Sequence, residues 1–356
     1  MCAAPAIRLA ILWPAWTGYL DTSLAALFDR YPTTALLVQD RPHPQAPFDV
    51  TRLAAARRCE HAFYEDGFDA LAARLDAFAP NLILTCSWAH PHYRRLCRRW
   101  RGRAVRAMHM DNQWRGTAKQ WAGLLASPFL VRPTTDFAFV PGERQARFAR
   151  RLGFTDRRII RPSLSGAIEL FAPVAVRPLH ERKAFIFVAR LAPEKGVHQL
   201  VEAYRAYRAA VVRPWPLIVC GTGPLADLLD DEPGIEAIGF VQPDDLPAQF
   251  ARAACLVLPS LFEPYAVAVH EATAAGLGAV CSAEVAAVDD FVEPPTNGAI
   301  VPTGDVAALS RALADVTARS DAELETMRRH SVASSARITP QLWADALIGA
   351  FERGAR

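Results

Sequence analysis

No apolar run in this chain reaches the roughly 18 residues that a membrane-spanning helix requires, so nothing in it reads as a transmembrane segment. The apolar start "IRLAILWPAW" carries one arginine, a proline inside and no small-residue cleavage site behind it; it reads as a first strand and not as a signal peptide. There is no CxxC pair among the seven cysteines, Cys2, Cys59, Cys86, Cys97, Cys220, Cys255 and Cys281. That argues against a zinc ribbon and a disulfide framework, and predicts reduced, mostly buried thiols of a cytoplasmic protein. His90 and His92 in "AHPHY" stand two apart in a proline-containing loop without a zinc-type carboxylate or thiolate pattern, so no metal is expected. Low-complexity tracts and short internal repeats are also missing, which removes disordered and solenoid classes.

What is present is a chain of 356 residues, 51% of them hydrophobic, long enough for two cores. The two halves differ in charge. Residues 1–175 hold 24 Lys and Arg against 14 Asp and Glu, and the remainder holds 16 against 23. The densest basic stretch is "RRLCRRWRGRAVR", which begins at Arg94, ends at Arg106 and contains seven arginines. It is either a solvated helix end with its loop or a surface for an anionic partner such as a membrane.

Short apolar runs alternate with longer amphipathic ones, the pattern of a parallel α/β architecture. Strands are expected at 7–12, 35–38, 82–86, 104–109, 137–140 and 158–161, and again at 184–189, 216–220, 235–239, 255–259 and near 280. The stretch from Ser165 to Arg182 carries Pro173 and Pro178 and no clean period, marking the linker. Two sheets of this kind bind ligands at the carboxyl ends of their strands, so the loops there are the ones to search.

In the second half those loops carry charge and glycine. After "AFIFVA" come Arg190 and Lys195, just before a helix start marked by Pro193 and Glu194. Two fixed cations beside a helix N-terminus suit a highly charged anion such as a diphosphate, against the alternative of ordinary surface cations at a turn. "CGTGP" places Gly221 and Gly223 at a strand end but lacks the third glycine of the dinucleotide fingerprint, so a nicotinamide cofactor is disfavoured. Gly239, Phe240 and Val241 offer backbone groups and an apolar wall to a flat base. In "PSLFEPYAVAVHEATAAGLGAVCS", Glu263 lies on a loop and Glu271 eight residues later within a helix that ends at Gly276. A carboxylate among Ala and Val is costly to bury unless it binds something polar.

Taken together, these stretches resemble the retaining glycosyltransferases of family 4. The matching residues are those of "VARLAPEKG", "CGTGP", "GFV", the E-x7-E pair and "TNGAIVPTGD" (296–305). The resemblance implies the GT-B fold: two Rossmann-like domains facing a central cleft, with the C-terminal helix crossing back to the N-terminal domain. The corresponding boundaries are an acceptor-binding domain at 1–170, a linker at 171–183, a nucleotide-sugar domain at 184–338 and the returning helix at 339–356. It further implies that Arg190 and Lys195 hold and stabilise the donor diphosphate, that Glu271 takes the ribose hydroxyls, and that Glu263 binds the transferred sugar. Tyr265, Ala266 and Val267 at the helix start, with Gly221, Gly223, Gly239, Phe240 and Val241, complete the implied donor site. The chain departs from the family pattern at Ala266, where glycine is usual, and at Ser165-Gly166, where Asn-Gly is usual.

The first half matches more loosely. Gly18 would let backbone approach the donor phosphates or the acceptor. His109 is either a satisfied strand-end histidine or the family's histidine near the transferred sugar. Asp111, Asn112, Gln113 and Trp114 would line the acceptor site, the rival being a solvated polar loop. The implied activity moves a sugar from a nucleotide-diphosphate sugar to a hydroxyl acceptor (glycan, lipid-linked or small molecule), with no cofactor and no protein-bound metal. A sugar-nucleotide epimerase or phosphorylase of the same fold is the second expectation. A basic membrane- or nucleic-acid-binding protein ranks last, and no nucleic acid is expected as a partner. The expected setting is cytoplasmic, at the inner face of an anionic membrane if the segment 94–106 engages one.

Overall fold

The computed structural model describes residues 6–41 and 53–355. Cys2 lies outside them. The chain divides into two compact units, residues 1–165 with 340–356, and residues 166–339.

The first unit is built on a seven-stranded sheet. In chain order it runs β1 (Ile7–Leu12), α1 (Gly18–Arg30), β2 (Thr33–Gln39), β3 (Cys59–Phe63), α2 (Phe68–Phe78), β4 (Leu82–Thr85), α3 (Pro91–Arg99), β5 (Val105–His109), α4 (Ala118–Leu130), β6 (Phe137–Phe139), α5 (Glu143–Arg151) and β7 (Ile159–Ile160). The sheet order is β3-β2-β1-β4-β5-β6-β7, and every pairing is parallel. Central strands such as "LILT" are apolar at successive positions because helices cover both faces.

The second unit follows with α6 (Ile168–Phe171), β8 (Phe185–Val188), α7 (Val197–Ala210), β9 (Leu217–Cys220), β10 (Ile235–Gly239), α8 (Leu246–Phe250), β11 (Cys255–Leu258), α9 (Val267–Ala274), β12 (Gly278–Ser282), α10 (Val288–Phe291), β13 (Gly298–Val301), α11 (Val306–Thr317) and α12 (Asp321–Ser335). Its sheet order is β10-β9-β8-β11-β12-β13, again all parallel. The segment from Ser165 to Arg182 carries α6 and two 3-10 turns, and Arg182 is fully buried in this unit.

The closing helix α13 (Pro340–Gly354) belongs to the first unit. Its apolar face, Trp343, Leu347, Ile348 and Phe351, joins the core beneath β1, β5 and β6. Trp343 Nε1 donates to the Ser163 carbonyl at 2.9 Å, and Tyr31 donates to Asp345 at 2.7 Å.

Several local expectations need correction. β3 and β13 are strands that the apolar pattern did not reveal, and β13 lies inside the stretch "TNGAIVPTGD". Pro91 opens α3, so His92 stands in a helix; proline is favoured at such a first position because its missing N–H has no partner to lose there. The polar loop after His109 stops at Thr117, whose hydroxyl caps α4 by accepting from the Gln120 N–H. The helix carrying Glu271 begins at Val267. Six described cysteines are free thiols, four of them buried. No helix among the described residues is long and apolar enough to cross a membrane.

Candidate functional site

The topology of the second unit fixes where its loops converge. Strands β8, β9 and β10 are laid down in one direction, and β11, β12 and β13 in the other, so the chain reverses between the neighbours β8 and β11. Loops leaving such neighbours diverge and leave a crevice at their carboxyl ends. The loop after β8 contains Arg190 and Lys195; the loop after β11 contains Glu263.

These two loops are laced together. The N–H groups of Leu261 and Phe262 donate to the Glu194 carbonyl at 2.9 and 3.2 Å. Gly196, at φ +70°, lies so close to β11 that a Cβ there would stand 2.2 Å from the Pro259 carbonyl oxygen. Lys195 Nζ then reaches Glu263 Oε2 at 2.5 Å, with side-chain exposures of 19% and 10%. Arg190 is exposed at 59% and pairs with Glu194. The backbone amide of Glu194 and the Arg190 guanidinium together hold its carboxyl below the usual range. Sequence reasoning used Glu194 only as a helix-start marker; the structure makes it the partner of Arg190.

The glycine loops join the same rim. Gly221 N–H donates to the Gly239 carbonyl at 2.8 Å, and Leu191 N–H donates to the Thr222 carbonyl at 2.8 Å. A Cβ at Gly221 would meet the Ala189 oxygen at 1.9 Å, and one at Gly223 the Leu191 oxygen at 2.4 Å, so side chains are excluded at both positions by backbone packing. Gly239 follows a shift in register between β9 and β10 and faces open space, with Phe240 and Val241 partly buried beside it.

The start of α9 has unusual backbone. Ala266 sits at φ +77°, ψ +85°, in the left-handed region that disfavours a residue with a Cβ. Tyr265 is buried just before it and donates to Asp290 Oδ2 at 2.9 Å; burial and the Asp290 charge push its phenol well up. Glu271 lies one and a half turns further on. Burial alone pushes its carboxyl up to about 7. The Cα of Gly166 lies against it, since a Cβ there would be 2.9 Å from Glu271 Cγ.

His270, beside Glu271, is a residue that sequence reasoning passed over. It is fully buried, stacks on Phe291 with ring centroids 4.2 Å apart, accepts from the Gly166 N–H at Nδ1 (2.9 Å), and lies 2.9 Å from the Ser335 carbonyl at Nε2. Those two partners fix the neutral Nε2–H tautomer. Burial depresses its basicity to about 4. The signal in the sequence was a lone imidazole on the apolar face of "VAVHEATA".

In the first unit, His109 ends β5 and is buried. Its Nδ1 lies 2.9 Å from Ser163 Oγ, and its ring packs 5.0 Å from Trp13. Desolvation lowers its basicity, opposed by Asp111. Gly18 is the first residue of α1. Asn112 Nδ2 donates to Asp111 Oδ1 at 3.1 Å, and the buried Gln113 accepts through its carbonyl from Gln120 Nε2 at 2.7 Å. Trp114 packs between Trp121 and Phe148, at 5.2 and 5.7 Å between ring centroids, with Arg151 over its face. Thus Arg190, Lys195, Glu263 and the glycines share one rim of the second unit, whereas Gly18, His109 and residues 111–114 lie in the first. Among the described residues no group of His, Cys, Asp and Glu could hold a metal ion.

The second unit is a parallel α/β unit with cations and a carboxylate on the loops at its switch point. Residues 174–332 match the family described as Glycosyl transferases group 1. That segment, most of the second unit, is thus similar to group 1 glycosyltransferases. The chain is 30% identical over 125 residues to an uncharacterized glycosyltransferase of Methanocaldococcus jannaschii, covering 33% of this chain and 31% of that protein. It is 30% identical over 174 residues to a glycogen synthase of Mycobacterium tuberculosis, covering 46% and 40%. The chain thus spans about a third of the length of the first of these relatives. Solved structures resemble it along its whole length. Sucrose-phosphate synthase from Thermosynechococcus elongatus has a TM-score of 0.72 at 16% identity over 98% of this chain and 97% of that one. Anabaena HepE in complex with UDP gives 0.68 at 14% over 98% of each. The fold is GT-B.

Proposed function

We propose that this protein is a glycosyltransferase that moves a sugar from a nucleotide-diphosphate sugar to a hydroxyl acceptor with retention of anomeric configuration. The observation that supports it best is the Lys195–Glu263 pair at the β8/β11 crevice, 2.5 Å apart and flanked by Arg190 and the glycine rim, within the segment that matches Glycosyl transferases group 1. The HepE structure in complex with UDP shows the same fold accommodating a nucleoside diphosphate.

In this proposal Arg190 and Lys195 meet the diphosphate and stabilise the negative charge that grows on it as the bond to the sugar breaks. Glu271, as a carboxylate, accepts from both ribose hydroxyls, which suits an acceptor-only group. Glu263 accepts from hydroxyls of the transferred sugar, and Gly221, Gly223, Gly239, Phe240 and Val241 take the nucleoside. The acceptor oxygen attacks from the face the leaving group departs, its proton passing to the leaving diphosphate oxygen. No enzyme nucleophile is needed. His109 serves the transferred sugar, and residues 111–114 serve the acceptor.

The test has two arms. Thermal shifts against UDP, GDP, ADP and dTDP sugars identify the donor, because a ligand that binds only the folded state raises apparent stability. NMR of the product with that donor and a hydroxyl acceptor then reads the anomeric configuration. An inverted product overturns retention, and conversion of the donor alone to its epimer overturns transfer.

A further inference from the structure

The first unit carries a surface that the transferase chemistry does not use. On α4, Trp121, Leu125 and Phe129 are exposed at 55%, 81% and 74%, and Ala118, Ala122 and Pro128 stand exposed with them. These positions recur at three- and four-residue spacing, so they form one stripe along the helix. A single exposed leucine needs no explanation, but a stripe of large apolar side chains along a helix marks an interaction surface.

The sequence around the stripe is strongly basic. Between Asp76 and Asp136 the sequence holds a single carboxylate, Asp111, and ten Lys and Arg. The structure sorts the arginines of the segment 94–106. Arg106 is buried and fully used, in a two-pronged bond to Asp136 and on the Cys97 and Pro133 carbonyls. Arg99 and Arg103 pair with Asp76. Arg95, Arg98 and Arg101 are exposed without a carboxylate partner among the described residues. Arg98 ties this basic region to the apolar stripe directly, since its guanidinium donates to the Phe129 carbonyl. At the other end Arg151 lies over Trp114, whose ring meets Trp121 edge-on, and Lys119 is exposed on the first turn of α4.

An apolar helix face of this kind, bordered by cations on a helix that carries no carboxylate of its own, fits a partner that is apolar at depth and anionic at its surface. We propose that α4 and the adjoining end of α3 dock the first unit on an anionic lipid surface. Trp121, Leu125 and Phe129 enter the boundary between head groups and acyl chains, and Arg95, Arg98, Arg101 and Lys119 pair with lipid phosphates. The sequence alone pointed to the arginine segment; the structure removes Arg99, Arg103 and Arg106 from the binding set and supplies the apolar anchor. The surface uses none of the residues assigned to the donor.

Sedimentation of the full chain with vesicles tests it. Vesicles of phosphatidylcholine with an equal amount of phosphatidylglycerol are expected to bind the protein, and phosphatidylcholine alone much less. Raising salt to about 0.5 M should weaken binding, as screening of surface charge requires. The variant Trp121→Gln/Leu125→Gln/Phe129→Gln should lower partitioning at least about tenfold, and Leu125→Gln/Phe129→Gln, which spares the Trp121 contact with Trp114, should lower it several-fold with thermal unfolding unchanged because these two side chains are exposed. Arg98→Gln/Arg101→Gln should lose several-fold on anionic vesicles only. Equal binding of the triple variant and the unaltered chain, or equal binding to both vesicle types, overturns the proposal. So does a dimer, seen by light scattering, that the triple variant dissociates while no vesicle is bound. Binding is read without nucleotide or acceptor, so its failure leaves the transferase proposal standing.

Discussion

The Lys195 ammonium lies 2.5 Å from the Glu263 carboxylate, joining residues 68 positions apart across the loops that follow β8 and β11. Both side chains are largely withdrawn from water, so each is the other's main compensation for lost hydration. Removing one charge leaves the other buried. Lys195→Met is expected to destabilise the second unit by about 2–4 kcal/mol, and Glu263→Gln by a similar amount. The double variant should cost at least about 1 kcal/mol less than the two singles added together. Urea unfolding of the four proteins measures this coupling, and strict additivity would show that the pair is not formed in solution. Transfer should fall by about two orders of magnitude or more in each single variant, and should not return in the double, because the charges are proposed to act on the substrate.

Glu271 makes a different prediction. Its carboxyl is pushed up by burial to about 7 from an ordinary value of 4.5. A carboxyl harder to ionise in the folded state binds more protons there than in the unfolded chain, so stability declines as pH rises from 4.5 to about 7 and stays lower above it. Glu271→Gln should therefore gain stability at pH 8, by something on the order of 1–3 kcal/mol, and little at pH 4. Ribose hydroxyls favour the ionised form, so nucleotide affinity in the unaltered protein should increase through neutral pH. Calorimetric titration at pH 6 and pH 8 checks this, and a pH-independent affinity in the unaltered chain would refute the assigned role.

His270 titrates in the opposite sense. Its neutral ring holds the Gly166 N–H, and burial lowers its basicity from 6.5 to about 4. As pH falls below 6.5 the unfolded histidine takes up a proton that the folded one refuses, so the stability it contributes is present above 6.5 and is lost down to about 4. His270→Leu should flatten that acid limb. At pH 8 the same variant should cost about 1–3 kcal/mol, because the buried hydrogen bond from the Gly166 N–H to the imidazole is lost. Thermal unfolding from pH 4 to 8 distinguishes the two effects, and an unchanged acid limb in the variant would assign it to other groups.

The sheets were legible because their central strands are buried on both faces and read as apolar runs: "FIFV", "LIVC" and "CLVL" are present almost as expected. β3, "CEHAF", was not, since an edge strand with Glu60 and His61 exposed loses the apolar pattern. The stripe on α4 was missed because tryptophan and leucine followed a run of polar residues that looked like loop. The charged residues of the site were visible singly as Arg190, Lys195, Glu263 and Glu271. Their pairing was not, because it depends on which loops the strand order makes neighbours, and no local spacing encodes contact over 68 residues. His270 was hidden for another reason: its role comes from Gly166 and Ser335, which folding brings to it.

Ala266 provides the sharpest separation of fold from function. It precedes α9 at φ +77°, between Glu263 and Glu271, where a Cβ crowds its own backbone. Holding a non-glycine residue there costs roughly 1–2 kcal/mol, while glycine gives back part of that through a freer unfolded chain. Ala266→Gly is thus expected to stabilise the protein by roughly 0.5–1 kcal/mol, visible as a rise of about 1–4 °C in Tm. If the methyl group also limits the space beside the transferred sugar, the same variant should broaden the range of donors accepted while leaving affinity for the free nucleoside diphosphate unchanged. Thermal unfolding with a donor panel reads both outcomes. A lower Tm would mean that the left-handed backbone is not strained at this position, and an unchanged donor range would place the methyl group away from the sugar.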